Sequence, residues 1–227
     1  MPNVLYYSLS KFCCTPVSVN YQKSFHFPPL TTAIIAVCLA IAFWTGSIWS
    51  FMGIDPARAS AVIYAIKPLL FTDIFRDTGI QAALNGDYWR FLTPIFLHFG
   101  IAHIVFNMLW MWQLAGPLEN RLGSIEMVIF VIAVGALSNI AQYYFEPRIP
   151  FGGMSGVVYA LLGYFWIQGR LNPRFGMALQ QPVVIMMLIW FVICWVGLVG
   201  NIANIAHTAG LFLGMAWGFA SARLHHP

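Results

Sequence analysis

Gly152-Gly153-Met154-Ser155-Gly156 sets a single hydroxyl among small residues, directly before the apolar run Val157-Val158-Tyr159-Ala160-Leu161-Leu162-Gly163. A helix beginning here leaves free backbone N–H groups and the positive end of its dipole beside Ser155, a place to hold an oxyanion. On its own the stretch reads first as a serine cap after a glycine turn. Three other polar side chains lie in apolar surroundings: His103, Asn107 and His207. Inside a membrane span such groups are costly, and each is a functional candidate by default.

The composition makes the membrane setting explicit. Of 227 residues 60% are hydrophobic and 8% charged, too few charges to cover a water-soluble globule. The formal charge of +4 is dispersed, with no Lys/Arg run to track a phosphate backbone, so nucleic acid is excluded as a partner. Cys13, Cys14, Cys38 and Cys194 have neither metal-ligand spacing nor a disulfide pattern. Residues 1–29 form a polar, aromatic tail without the features of a cleavable signal, expected to be cytoplasmic.

The positioning elements are six predicted transmembrane helices: Leu30 to Phe51, Gly100 to Ala115, Ile125 to Tyr144, Ser155 to Gln168, Pro182 to Val199 and Ala203 to Ala222. They make one all-α membrane domain over 30–224, with a long first outer loop at 52–90. In that loop the patch Ala61 to Phe71, interrupted by Pro68, is too short to span and is expected as an interfacial hairpin or helix. Tyr88-Trp89-Arg90 is expected as a surface anchor, and Leu118 to Gly123 as a tight polar turn after the second span. Lys and Arg divide almost evenly between the two sides, but among the shorter loops only Arg148 falls outside, which places both termini in the cytoplasm.

With that orientation, Ser155, His207 and Asn107 precede the first inner arginine of their helices, Arg170, Arg223 and Arg121, by 15, 16 and 14 residues. At helical rise they share one level, roughly 21 to 24 Å above the inner surface. The fourth helix is then too short to reach the outer face, and the Pro150 to Gly153 loop at that depth requires a cavity or a protein wall. Ser155, Tyr159 and Gly163 share one face, as do His207, Gly210 and Gly214, so close packing at the glycines brings the Ser155 hydroxyl to the His207 ring, with Tyr159 beneath it. His103 and Asn107, one turn apart, aim donors at the same place. Every Asp and Glu falls in a loop or at a helix end, so only a Ser–His dyad is available. The same absence excludes an aspartyl dyad and a His-Glu-x-x-His zinc site, and His98 with His103 is poorly phased for a metal. Separately, each residue has a structural reading: His103 and Asn107 as interhelical glue, His207 as a packed histidine, Glu119 and Arg121 as a surface ion pair, Trp89 as a lipid anchor.

From Trp89 to Gly218 the chain resembles the rhomboid family of intramembrane serine proteases. The resemblance rests on Trp89-Arg90, His98-Phe-Gly-Ile-Ala-His103-Ile-Val-Phe-Asn107, Glu119-Asn-Arg121, Gly153-Met-Ser155-Gly156 and Ala206-His207-Thr-Ala-Gly210, in order. It implies the bacterial six-helix form in the plasma (inner) membrane. Ser155 is then the nucleophile, His207 the general base, and His103, Asn107 and the Ser155 N–H the oxyanion site, with Gly153 and Tyr159 in support. No cofactor or metal is implied. The expected substrates are single-pass membrane proteins with helix-destabilising transmembrane segments, cleaved near the outer boundary and admitted laterally between the second and fifth helices. The alternatives are a non-proteolytic binder of client helices and a proton-relay transporter.

Overall fold

The structure, a computed structural model, describes residues 27–49, 56–72, 80–147, 150–198 and 202–224. The N-terminal tail up to residue 26 lies outside them, as do Asp55, Asp73, Arg76, Asp77 and Arg148. Among the described residues every regular element is helical: α1 Pro29–Thr45, α2 Pro56–Ile66, α3 Gln81–Leu84, α4 Ile101–Trp110, α5 Gly116–Leu122, α6 Ser124–Phe145, α7 Ser155–Leu171, α8 Gln181–Trp195 and α9 Asn204–Leu224. Two of them, α6 and α9, are long and apolar enough to cross a membrane, while α1 and α8 are shorter apolar helices. Large apolar side chains such as Trp44, Ile125, Tyr144 and Ile189 face outward. An apolar exterior of this kind suits lipid as the surrounding solvent.

Several expected boundaries move for identifiable reasons. The first helix ends at Thr45, short of Phe51, because Gly46 takes a left-handed φ of 71° and its N–H closes on the Phe43 carbonyl. The second does not stop at Gly116-Pro117. Met111–Ala115 form a π-turn, the Gly116 N–H reaches the Met111 carbonyl, and α5 continues to Leu122 where a polar turn was expected. The wider turn accommodates the ring of Pro117, whose missing N–H falls at the start of α5. The fifth helix ends at Trp195, followed by Gly197 at φ 76°. Val199, its expected end, lies outside the described residues. The patch at Ala61 to Phe71 is helical and breaks at Lys67–Leu69, around Pro68.

The bundle is centred on α7, buried on every side from Gly156 to Phe165. Against it lies α9, at backbone contact. A Cβ on Gly210 would collide with the Gly156 carbonyl, one on Gly214 with the Ala160 carbonyl, and one on Gly163 with the Leu211 carbonyl. Such approach is available only to glycine.

Two polar anchors differ from expectation. Glu119 makes no surface ion pair with Arg121; it is buried, and residues two apart on a helix diverge. Its carboxylate accepts the Leu30 and Thr31 N–H groups at 2.8 and 2.7 Å and the Ser124 hydroxyl at 2.6 Å, while Arg121 donates to the Arg174 carbonyl at 3.1 Å. The first turn of α1 has no side-chain cap of its own, so its free N–H groups take the acid from α5. Arg90, expected as a surface anchor, is buried instead. Its guanidinium bonds Asp87 at 2.9 Å and donates to the Lys67 and Leu70 carbonyls at 3.0 and 2.8 Å, pulling the turn after α2 onto the segment before α4. Tyr88 and Trp89 keep exposed rings.

Two outcomes follow from this packing. Gly214→Val is expected to lower stability by about 3 kcal/mol, since backbone cannot yield to the new side chain, whereas Gly169→Ala, meeting Ala178 at 3.4 Å and the Met177 carbonyl at 3.7 Å in ordinary contact, leaves it within about 0.5 kcal/mol. Unfolding in detergent micelles reads both. Glu119→Ala is expected to lose about 2 kcal/mol near neutral pH.

Candidate active site

At the seam between α7 and α9, Ser155 is the first residue of α7, and the N-cap position belongs to Met154. The capping reading of Ser155 therefore fails: its Oγ lies 2.8 Å from His207 Nε2. The first intrahelical bond of α7 runs from the Val158 N–H to the Met154 carbonyl, so the N–H groups before it, including that of Ser155, have no acceptor within the helix. A hydroxyl, an imidazole and a helix N-terminus thus converge, with His207 buried at 5% exposure. Tyr159, one turn along, places its ring 4.9 Å from the imidazole at 37° and donates its hydroxyl to the Met187 carbonyl of α8 at 3.2 Å.

The loop ahead of Ser155 is pinned from below. The Gly153 N–H donates to the Pro94 carbonyl at 2.9 Å, and Gly153 has φ 116°, a conformation that disfavours any side chain. Its missing Cβ leaves room for His103, whose Nε2 would lie 2.6 Å from such an atom. His103 Nδ1 accepts the Phe99 N–H at 3.3 Å, which assigns the ring hydrogen to Nε2 and makes that nitrogen a donor at the loop. Asn107 is buried, with one amide hydrogen donated to the His103 carbonyl at 2.9 Å; a second remains.

Three further residues hold this site, and none is among the candidates read from the sequence. His98, set aside above as a poor metal ligand, is fully buried, with its ring centroid 5.1 Å from that of His103. It accepts the Met154 N–H at Nε2, 3.3 Å away, and donates from Nδ1 to the Phe96 carbonyl at 3.2 Å. Burial, with His103 nearby, pushes this imidazole down to about 3, so it remains the neutral tautomer that can do both. On α6, Gln142 accepts the Ala206 N–H at 3.0 Å, one residue before His207, and donates to Glu146 at 2.6 Å. Asn139, one turn earlier, donates to the Phe91 carbonyl at 2.9 Å. Ser138, Asn139 and Gln142 form a polar stripe inside an otherwise apolar span, the signal by which α6 could have been found to face the site. Among the described residues no group of three or more His, Cys, Asp or Glu side chains is placed to hold a metal.

Comparison with known proteins agrees with this architecture. Residues 85–224 match the family model described as "Rhomboid domain". The chain is 44% identical over 137 residues to "Rhomboid protease GlpG" of Salmonella paratyphi A, covering 60% of this chain and 49% of that protein. It is 35% identical over 192 residues to "Rhomboid protease GlpG" of Klebsiella pneumoniae, covering 84% and 62%. The matched region of the Salmonella relative is thus about half its length. All the helices from α4 to α9, with every residue placed around Ser155 and His207, fall inside the matched segment, and the chain belongs to the rhomboid family.

Proposed function

We propose that this protein is an intramembrane serine endopeptidase in which Ser155 and His207 act as a catalytic dyad. The observation that carries the reading is the 2.8 Å contact between Ser155 Oγ and His207 Nε2 at the N-terminus of a buried helix. Ser155 Oγ attacks the scissile carbonyl while its proton passes to His207 Nε2. The resulting oxyanion takes up the free Ser155 N–H, the His103 Nε2–H and the remaining Asn107 amide hydrogen, neutral donors fixed before the reaction begins. The intermediate collapses as His207 returns the proton to the leaving amine, leaving an acyl group on Ser155. Water, deprotonated by His207, then releases it.

The domain organisation in this reading is a tail over 1–29 and a six-span membrane domain over 30–224, both termini cytoplasmic, in a bacterial inner membrane. The spans are α1, the continuous stretch α4 to α5, α6, α7, α8 and α9. Ser155 then lies below the outer surface, under the loop at 150–154. The substrates are single-pass membrane proteins whose transmembrane segments unwind locally near that boundary, since a peptide bond held in a regular helix is closed to attack. Their path is between α4 and α8, where Phe106 stacks on Trp190 at 5.4 Å and α8 makes few ties to the bundle.

Cleavage of a single-span reporter in liposomes tests the dyad. Ser155→Ala and His207→Ala, matched for folding, are each expected to reduce the rate at least about a thousandfold. Cleavage that survives loss of the Ser155 hydroxyl overturns the dyad, and binding of reporters without cleavage by the wild type points to the client binder. For the path, the Phe106→Ala/Trp190→Ala double variant removes an aromatic pair of about 1 kcal/mol and is expected to accelerate cleavage about fivefold if parting these rings limits access. An unchanged or slower rate places access elsewhere.

A further inference from the structure

Asn204 opens α9 three residues before His207. Two buried polar atoms in this single turn have no partner, His207 Nδ1 and Asn204 Oδ1. They are complementary. With Nε2 accepting from Ser155, Nδ1 carries a hydrogen and is a donor. Asn204 Nδ2 donates to the Cys194 carbonyl at 3.1 Å, which identifies the other end of the amide as the oxygen, an acceptor. Side chains three apart on a helix are neighbours on one face, within reach of a shared water. Each atom is costly to bury alone, and a polar site with two such partners is where one water binds. Among the described residues no carboxylate acts on His207 instead: the rings placed near it are those of Tyr159 and His103.

We propose that Asn204 is the positioning residue of the dyad: its Oδ1 receives the His207 Nδ1–H through one bridging water. This rests on the peptidase reading above. The water-linked amide holds the imidazole in the tautomer whose Nε2 can take the Ser155 proton, and it offers a dipole to the imidazolium that forms when it does. It performs the orienting part of a third triad member without a charge. Asn204 also ties α9 to α8 through its Nδ2, so the test must separate the acceptor from the tie.

The readout is the rate at which a fluorophosphonate labels Ser155 in the full purified chain, which needs no substrate. Asn204→Ala loses both functions, and Asn204→Asp keeps an oxygen acceptor while losing the donor. Trp195→Phe keeps Asn204 and removes a second α8 to α9 hydrogen bond, the 3.2 Å bond from Trp195 Nε1 to the Thr208 hydroxyl. Labelling is expected to slow about tenfold in N204A, to stay within about threefold of wild type in N204D, and to be unchanged in W195F. Thermal unfolding checks that the variants are folded, and Asn204→Leu, similar in volume and without polar atoms, replaces the alanine variant should that one unfold. Equal slowing in N204A and N204D, slowing in W195F to the level of N204A, or N204A at the wild-type rate overturns the proposal. So does slowing confined to Ser138→Ala, which removes an unpartnered hydroxyl near Gly156. Failure of the peptidase reading looks different: the wild type is then not labelled, or the label persists in Ser155→Ala.

Discussion

The contact on which everything else depends is the backbone approach of α7 and α9. Gly210 faces the Gly156 carbonyl, Gly214 faces that of Ala160, and Gly163 meets that of Leu211, so two helices without intervening side chains are set in one register. Dispersion and weak Cα–H···O contacts replace the hydrophobic effect here, which gains nothing from moving apolar surface out of lipid. The register then dictates the chemistry. Gly156 follows Ser155 and Gly210 lies one turn past His207, so the seam that joins the helices also delivers the hydroxyl to the ring.

A seam fixes a register but does not fix the ends of two helices, and here both ends are functional. The beginning of α7 is held by the Gly153 N–H on Pro94 and the Met154 N–H on His98. The beginning of α9 is held by the Ala206 N–H on Gln142 and by the Asn204 amide on Cys194. Each bond uses a helix-terminal group that lipid could not satisfy. Backbone pairing that the bundle requires in any case therefore sets where Ser155 and His207 stand. The segment carrying Pro94 and His98 is held to the turn after α2 by Arg90, which links the first loop to the site through buried bonds.

What was legible in the sequence has the same physical origin. Glycines at helical spacing and a serine beside them announce a close helix pair, and counting along each helix to Arg170 and Arg223 sets Ser155 level with His207, two side chains that meet at 2.8 Å. Legibility failed where a bond crosses between distant segments. Glu119 and Arg121 look like a pair only because they are close in sequence; the backbone partners of Glu119 begin α1, nearly ninety residues away. Arg90 beside Tyr88 and Trp89 resembles an interfacial cation until the Lys67 and Leu70 carbonyls arrive beneath it. The helix that runs through Pro117 depended on a π-turn, a widening with no residue signature of its own. Gln142 differs from these, because a polar side chain in an apolar run was visible and went unweighed, while His98 was weighed only as a metal ligand.

The distribution of charge through the bundle follows from dielectric. Glu119 caps α1 from the start of another helix, and Glu146, just past the end of α6, receives the Gln142 amide, so both acids act where helices terminate. Around Ser155 the polar atoms belong to neutral groups: imidazole, amide, phenol, hydroxyl and helix N–H. A lone carboxylate at that depth would need solvation that neither lipid nor packed helices supply, whereas a hydrogen-bonded neutral dipole carries a far smaller penalty. Dipoles fixed in place beforehand are also what stabilises charge appearing during a reaction, and they do so most strongly where water is scarce. The shortage of charge that lets this chain sit in a membrane is therefore compatible with its chemistry, provided that the neutral groups are held as firmly as the glycine seam and the bonds at the helix ends hold them here.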